Sequence, residues 1–154
     1  MRRALELAAE AQAAGDVPVG AVLVCGEETI EARNERERLA DPRAHAEMLA
    51  IGEAARRLGA WRLAGATLYV TKEPCVMCAG AIAAARIARL VYGARDPKGG
   101  AAGSVIDVFS SAAVHHRVQV TGGVLEQETG RQLRDFFARL RRDRAETAER
   151  WSSG

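Results

Sequence analysis

Three short stretches of this chain carry residues that can do chemistry: His45-Ala46-Glu47, Pro74-Cys75, and Cys78, which closes a Cys-x-x-Cys pair. One imidazole and two thiolates form a ligand set that suits tetrahedral zinc and leaves one position for water. Structural zinc sites take four protein ligands, whereas catalytic ones keep a position open. Glu47, two residues beyond the histidine, is close enough to handle the protons of such a water. The pattern reads as a hydrolytic zinc site. Each part alone fits other uses. A Cys-x-x-Cys after a strand also suits a thioredoxin-like redox pair. His115 or His116 would complete a closed structural site as a distal fourth ligand. A histidine and a glutamate at a helix start also serve as capping or solvated groups.

The elements around these residues follow from local pattern. Asp41-Pro42 supplies an N-cap and a first-turn proline for a helix over roughly 43–58, stopped at Gly59. Thr67–Thr71 is a β-rich run, and Pro74 after it opens a small-residue helix to about Ala85. Both ligand groups therefore fall at helix beginnings, where unsatisfied N–H groups favour thiolate. Positions i and i+2 on a regular helix point apart, so Glu47 is expected to flank the metal rather than ligate it. Elsewhere, residues 2–14 read as a helix, and Val19–Cys25 as a buried strand hairpinned to a second around Thr29–Arg33. Leu90–Ala94 and Val118–Val120 read as strands, with a short helical piece near Val105–Phe109. A final helix is expected over Glu126–Arg144, with 145–154 as a frayed tail. Strands alternating with helices give an α/β chain with a parallel component, built as a three-layer α/β/α sandwich.

Composition sets outer bounds. The chain of 154 residues is 48% hydrophobic and 27% charged, as in a soluble globular domain. It has no apolar run of transmembrane length and no signal-peptide core, so a cytoplasmic location with no membrane partner is expected. Cys25 lies in an apolar strand and reads as a small buried hydrophobe. Net charge is only +2, but Arg131, Arg134, Arg139, Arg141, Arg142 and Arg144 outnumber Asp135 and Asp143 beside Phe136-Phe137. Such a stretch suits a polyanion with exposed bases. In a chain with only two lysines, Lys72 and Lys98, it also fits a solvated arginine-rich helix face.

The H-x-E…P-C-x-x-C pattern resembles that of the zinc-dependent nucleobase deaminases. The likeness is closer to one branch, the bacterial tRNA-specific adenosine deaminases. Pro18–Val24, Asn34, Asp41-Pro42, Ala44–Glu47, Ala66–Thr71, Glu73–Ala81, Gly93–Asp96, Gly100–Ser104 and Phe136-Phe137 all carry it. It spans roughly residues 2–142. The resemblance implies a cytidine deaminase-like fold with a central mixed five-stranded sheet, over a single deaminase domain, residues 1–144. It implies hydrolysis of adenosine to inosine at the wobble position of tRNA, chiefly an arginine tRNA, by a zinc-dependent homodimer. His45, Cys75 and Cys78 are then the zinc ligands, with one ion per subunit, and Glu47 the catalytic proton shuttle. Asn34, Ala94 and Asp96 contact the inserted base and its neighbours in the anticodon loop, and Phe136 or Phe137 faces the RNA.

Three places depart from the family pattern. Lys72 stands where an apolar residue is usual, there either to reach solvent or to touch a phosphate, and Gly99 replaces a threonine. Ser110–His115 lacks the histidine and asparagine common at corresponding places, which puts RNA contacts from that segment in doubt. A deaminase of a free base or nucleotide (cytosine, guanine or deoxycytidylate) is the competing function, because the zinc chemistry is shared. A zinc-stabilised RNA-binding module without catalysis is the other alternative.

Overall fold

The computed structural model describes the backbone of residues 1–152 and the side chains of residues 1–148. Along the chain lie α1 (Arg2–Ala13), β1 (Gly20–Cys25), β2 (Glu28–Arg33), α2 (Arg36–Leu39), α3 (Ala46–Leu58) and β3 (Thr67–Lys72). After them come α4 (Val76–Ala84), β4 (Arg89–Ala94), β5 (Gln119–Thr121) and α5 (Glu126–Ser152). The five strands form one mixed sheet in the order β2-β1-β3-β4-β5. β1 runs antiparallel to both β2 and β3, whereas β3, β4 and β5 are mutually parallel. The expected five-stranded sandwich is what forms.

Strand alternation sorts the two faces. Ala21 and Leu23 of β1 join Leu68, Val70, Leu90 and Tyr92 in the main core, together with Ala46, Ala50 and Ala54 of α3 and Ile82 of α4. Val22 faces the other way, into a smaller cluster with Ala4 and Leu7 of α1. Residues 46, 50 and 54 recur at helical spacing, so α3 turns a stripe of methyl groups to the core, with Ile51 packed alongside. On the opposite face, α5 approaches β4 closely. A Cβ on Gly93 would stand 2.7 Å from Thr129 Oγ1, so only glycine fits there.

Three boundaries differ from expectation. α3 begins at Ala46 because the Asp41 carboxylate accepts the Arg43 N–H (2.8 Å) and bonds its guanidinium, forming a local turn in place of a cap. No helix forms at Val105–Phe109. That stretch is instead folded by Val105 N–H donating to Gly100 O, Val108 N–H to Ala101 O, and a bridge between Ala102 and Asp107. α5 runs past Arg144 to Ser152, since residues 145–152 contain neither glycine nor proline to stop it.

Candidate active site

His45 and Cys75 occupy equivalent positions, each the N-cap of its helix and each in extended conformation. Neither side chain caps its helix, so both are free to point at a common centre. Cys78 lies one turn into α4, fully buried. His45 Nδ1 is 3.7 Å from Cys75 Sγ and 3.6 Å from Cys78 Sγ. All three ligand atoms lie within 4.8 Å of one another, a group that can hold a metal ion. Cys75 accepts hydrogen bonds from the Cys78 thiol and from His45, which draws its own thiol down to about 3. Cys78 is pushed up as that donor and by burial, and His45 is raised by bonding to Cys75.

Glu47 is 4% exposed and lines the same cavity as His45 and Cys75. The helical argument for a diverging Glu47 fails in its premise, because His45 precedes the first helical residue. The clustered ligand atoms are those of His45, Cys75 and Cys78. Burial pushes its carboxyl up from the usual range. The cavity is about 290 Å³ and is also walled by Val17, Val19, Asn34, Arg36, Lys72, Glu73 and Phe137.

Asn34 donates from Nδ2 to Asp16 Oδ1 at 2.6 Å. Buried Asp16 also accepts the N–H groups of Val17 (3.1 Å) and Glu37 (2.9 Å). A carboxylate only accepts, so it fixes the Asn34 amide with nitrogen towards Asp16 and oxygen left to the cavity. Sequence reasoning missed Asp16, which after Gly15 reads only as a helix stop.

Glu73 was also missed. Its buried carboxylate accepts N–H groups of Asp96 (3.0 Å), Ala102 (3.1 Å) and Ser104 (3.0 Å), and the Ser104 hydroxyl. Burial alone would raise this carboxyl, but those donors outweigh it and hold it below its ordinary value. Gly100 packs directly beneath, where a Cβ would stand 2.5 Å from Glu73 Cδ. One carboxylate thus folds the loop over 96–104.

Asp96 sits on that loop. Its Oδ2 accepts from Lys72 Nζ at 2.6 Å and its Oδ1 from Lys98 N–H at 3.0 Å. Ala94 is buried in register with Lys72, and its carbonyl accepts the Glu73 N–H (2.8 Å); it lies behind the cavity wall. Of the two phenylalanines, Phe136 is 8% exposed and Phe137 39%. Phe137 lines the cavity and, with Phe136, Leu140, Arg141 and Arg144, an adjoining cleft of about 560 Å³ that shares Val17 and Arg36. Neither distal histidine joins the ligand group among the described residues. His116 Nε2 bonds Ile87 O at 2.8 Å.

Comparison with known proteins agrees with this geometry. The sequence model of the MafB19-like deaminase family matches residues 1–141. A tRNA-specific adenosine deaminase of Bacillus subtilis (strain 168) is 49% identical, over 92% of this chain and 89% of its own. A structure solved in work on A-to-I editing by tRNA:A34 deaminases superposes with a TM-score of 0.84 at 47% identity, covering 86% of this chain and 97% of that one. A guanine deaminase from Nitrosomonas europaea superposes at 0.75 with 26% identity, covering 88% and 81%. At such identities over nearly its full length, the chain belongs to the tRNA-specific adenosine deaminase family.

Proposed function

We propose that the protein hydrolyses the exocyclic amine of adenosine at the wobble position of tRNA, chiefly of an arginine tRNA, leaving inosine and releasing ammonia. The observation that carries this is the meeting of His45, Cys75 and Cys78 at one point, with the Glu47 carboxylate buried in the same cavity. The ligands fit zinc. Metal–sulfur and metal–nitrogen bonds of ordinary length, set at the tetrahedral angle, place nitrogen and sulfur about 3.6 Å apart. The observed separations are 3.7 and 3.6 Å.

Bound there, one zinc ion per subunit supplies a water whose pKa is lowered to about 7. Glu47 does the proton work. Its carboxylate takes the proton of the attacking water and passes it to the purine ring nitrogen beside the reacting carbon. It then takes the second proton, from the hydroxyl added to that carbon, and gives it to the departing amine, so that water and adenosine become inosine and ammonia. Burial keeps this proton from bulk solvent. Asn34, with its amide fixed by Asp16, offers an oxygen to the inserted base. Ala94 and Asp96 shape and polarise the far wall, while Phe136 backs Phe137, which offers a ring to a neighbouring base. The adjoining cleft with Arg141 and Arg144 supports an RNA substrate over a free base, which has no need of it.

The deaminase unit is residues 1–144 and residues 145–154 are an appendage; the family match ending at residue 141 supports this. Val76, Val105 and Ile106 are large apolar side chains left exposed, which supports a homodimer. Among the described residues no helix is long and apolar enough to cross a membrane. A tRNA substrate puts the enzyme in the cytoplasm.

The test is an anticodon stem-loop scored for inosine and ammonia. Wild type should convert it, and Glu47→Ala should fall by about 10²–10⁴-fold. Near-wild-type turnover by Glu47→Ala removes the shuttle role. Ammonia from guanine or cytosine with none from the stem-loop replaces the tRNA reading with the free-base one.

A further inference from the structure

We infer that Lys72 is a specificity-determining residue that binds the phosphate next to the inserted nucleotide and thereby selects a substrate carried on a phosphodiester chain. The inference deepens the functional reading above and rests on it. Lys72 is the last residue of β3, and its side chain is 30% exposed while that of Asp96 is 14% exposed. Glu47, in contrast, is buried in the same cavity. The ammonium therefore sits at the rim, where the sugar and phosphate of a nucleotide remain when its base reaches the ligand cluster.

Lys72 brings to that rim a cation shared with the Asp96 carboxylate. Of the carboxylates lining the cavity, Glu47 is buried and Glu73 is saturated by four donors. The remaining cation of the wall, Arg36, already shares its guanidinium with Glu37 at 3.1 and 3.3 Å. Lys72 gives one hydrogen to Asp96 Oδ2 at 2.6 Å, and an ammonium carries three. Asp96 is itself held by Lys98 N–H, so the pair aims the ammonium and leaves two donors for phosphate oxygens. In a chain whose other cations are arginines apart from Lys98, Lys72 places a compact point charge at this rim.

The experiment uses the full chain with its metal. Equilibrium binding and turnover of the anticodon stem-loop are measured against salt for wild type, Lys72→Met and Lys72→Arg. In Lys72→Met, KM and Kd should rise about tenfold, more than kcat falls. The slope of log affinity against log salt should be shallower by about 0.7, one single-strand phosphate. Lys72→Arg should keep most of the slope. A stem-loop with neutral methylphosphonates flanking the target should bind wild type more weakly but Lys72→Met no worse than the native stem-loop. An unchanged slope in Lys72→Met, or an equal methylphosphonate penalty in both proteins, overturns the inference. Adenosine 5′-monophosphate competing better than adenosine, with the advantage lost in Lys72→Met, moves the phosphate from an RNA chain to a free nucleotide and also overturns it. Binding needs no turnover: a wild type that binds the stem-loop with a Lys72-dependent slope but forms no inosine refutes the functional reading alone. A wild type that does not bind the stem-loop refutes both.

Discussion

His45 and Cys75 hold the same place in two different helices. With φ −74° in each and ψ 149° and 174°, they are the extended residues from which α3 and α4 start, and Nδ1 and Sγ meet at 3.7 Å. Two helix N-termini thus converge on one point, and their free N–H groups favour the negative charge that thiolate ligands carry.

Removal of either sulfur should empty the site. Cys75→Ala and Cys78→Ala are expected to lose both zinc and deaminase activity, whereas Glu47→Ala keeps its zinc. Elemental analysis of protein purified without chelator checks this. Stoichiometric zinc in either cysteine variant would strike that residue from the ligand set.

Glu73→Gln should destabilise the protein by about 2–4 kcal/mol at neutral pH, since a buried charged acceptor with several donors is replaced by a group that also donates. The pH dependence has a definite sign. The folded carboxyl is held below its ordinary value of 4.5, so its stabilisation is complete above that value and is lost as pH falls through the folded value. Denaturant melts of wild type and Glu73→Gln should therefore converge as pH falls from 4.5 through the folded value. A gap that stays constant into acid would show that the charge of Glu73 contributes nothing.

Asp16→Asn keeps the shape of the side chain but lets it donate, which frees the Asn34 amide to turn over. We expect kcat/KM for the stem-loop to fall about tenfold, one charged hydrogen bond's worth. The Asn34→Ala variant should show little further loss when Asp16→Asn is added. Additive losses in the double variant would separate the two residues.

Phe136 and Phe137 should behave oppositely despite being neighbours. Phe136→Ala empties a buried site and should lower Tm by roughly 10 °C or more. Phe137→Ala should leave Tm within about 2 °C and raise stem-loop KM about tenfold, the loss of one stacked base. Thermal melts beside steady-state kinetics decide it, and a Phe137→Ala melt as low as that of Phe136→Ala would place both in the core.

The parts of the site legible in the sequence were those fixed by local spacing. The one-turn offset of Cys75 and Cys78, the apolar run of β1 and the β-rich run of β3 each follow from period alone. The start of α3 was displaced because Asp41 turned back on Arg43, a competition between a cap and a local turn that the sequence leaves undecided. Asp16 and Glu73 were not legible as parts of the site, whereas Lys72 stood out from the family pattern but its pairing with Asp96 did not. Their partners lie 18 to 31 residues away, and only folding brings them together. The absent helix at Val105–Phe109 has the same cause, since the Glu73 carboxylate takes the Ala102 and Ser104 N–H groups that precede it.

The alanine stripe of α3 ties the catalytic geometry to the middle of the molecule. Ala46, Ala50 and Ala54 give that helix a stripe of single-carbon side chains against the core. A valine at residue 50 would have to lever the rod outward, swinging its leading imidazole away from the sulfurs anchored on α4. Affinity for the ion then serves as a ruler for core thickness, sensitive to substitutions that never touch a ligand.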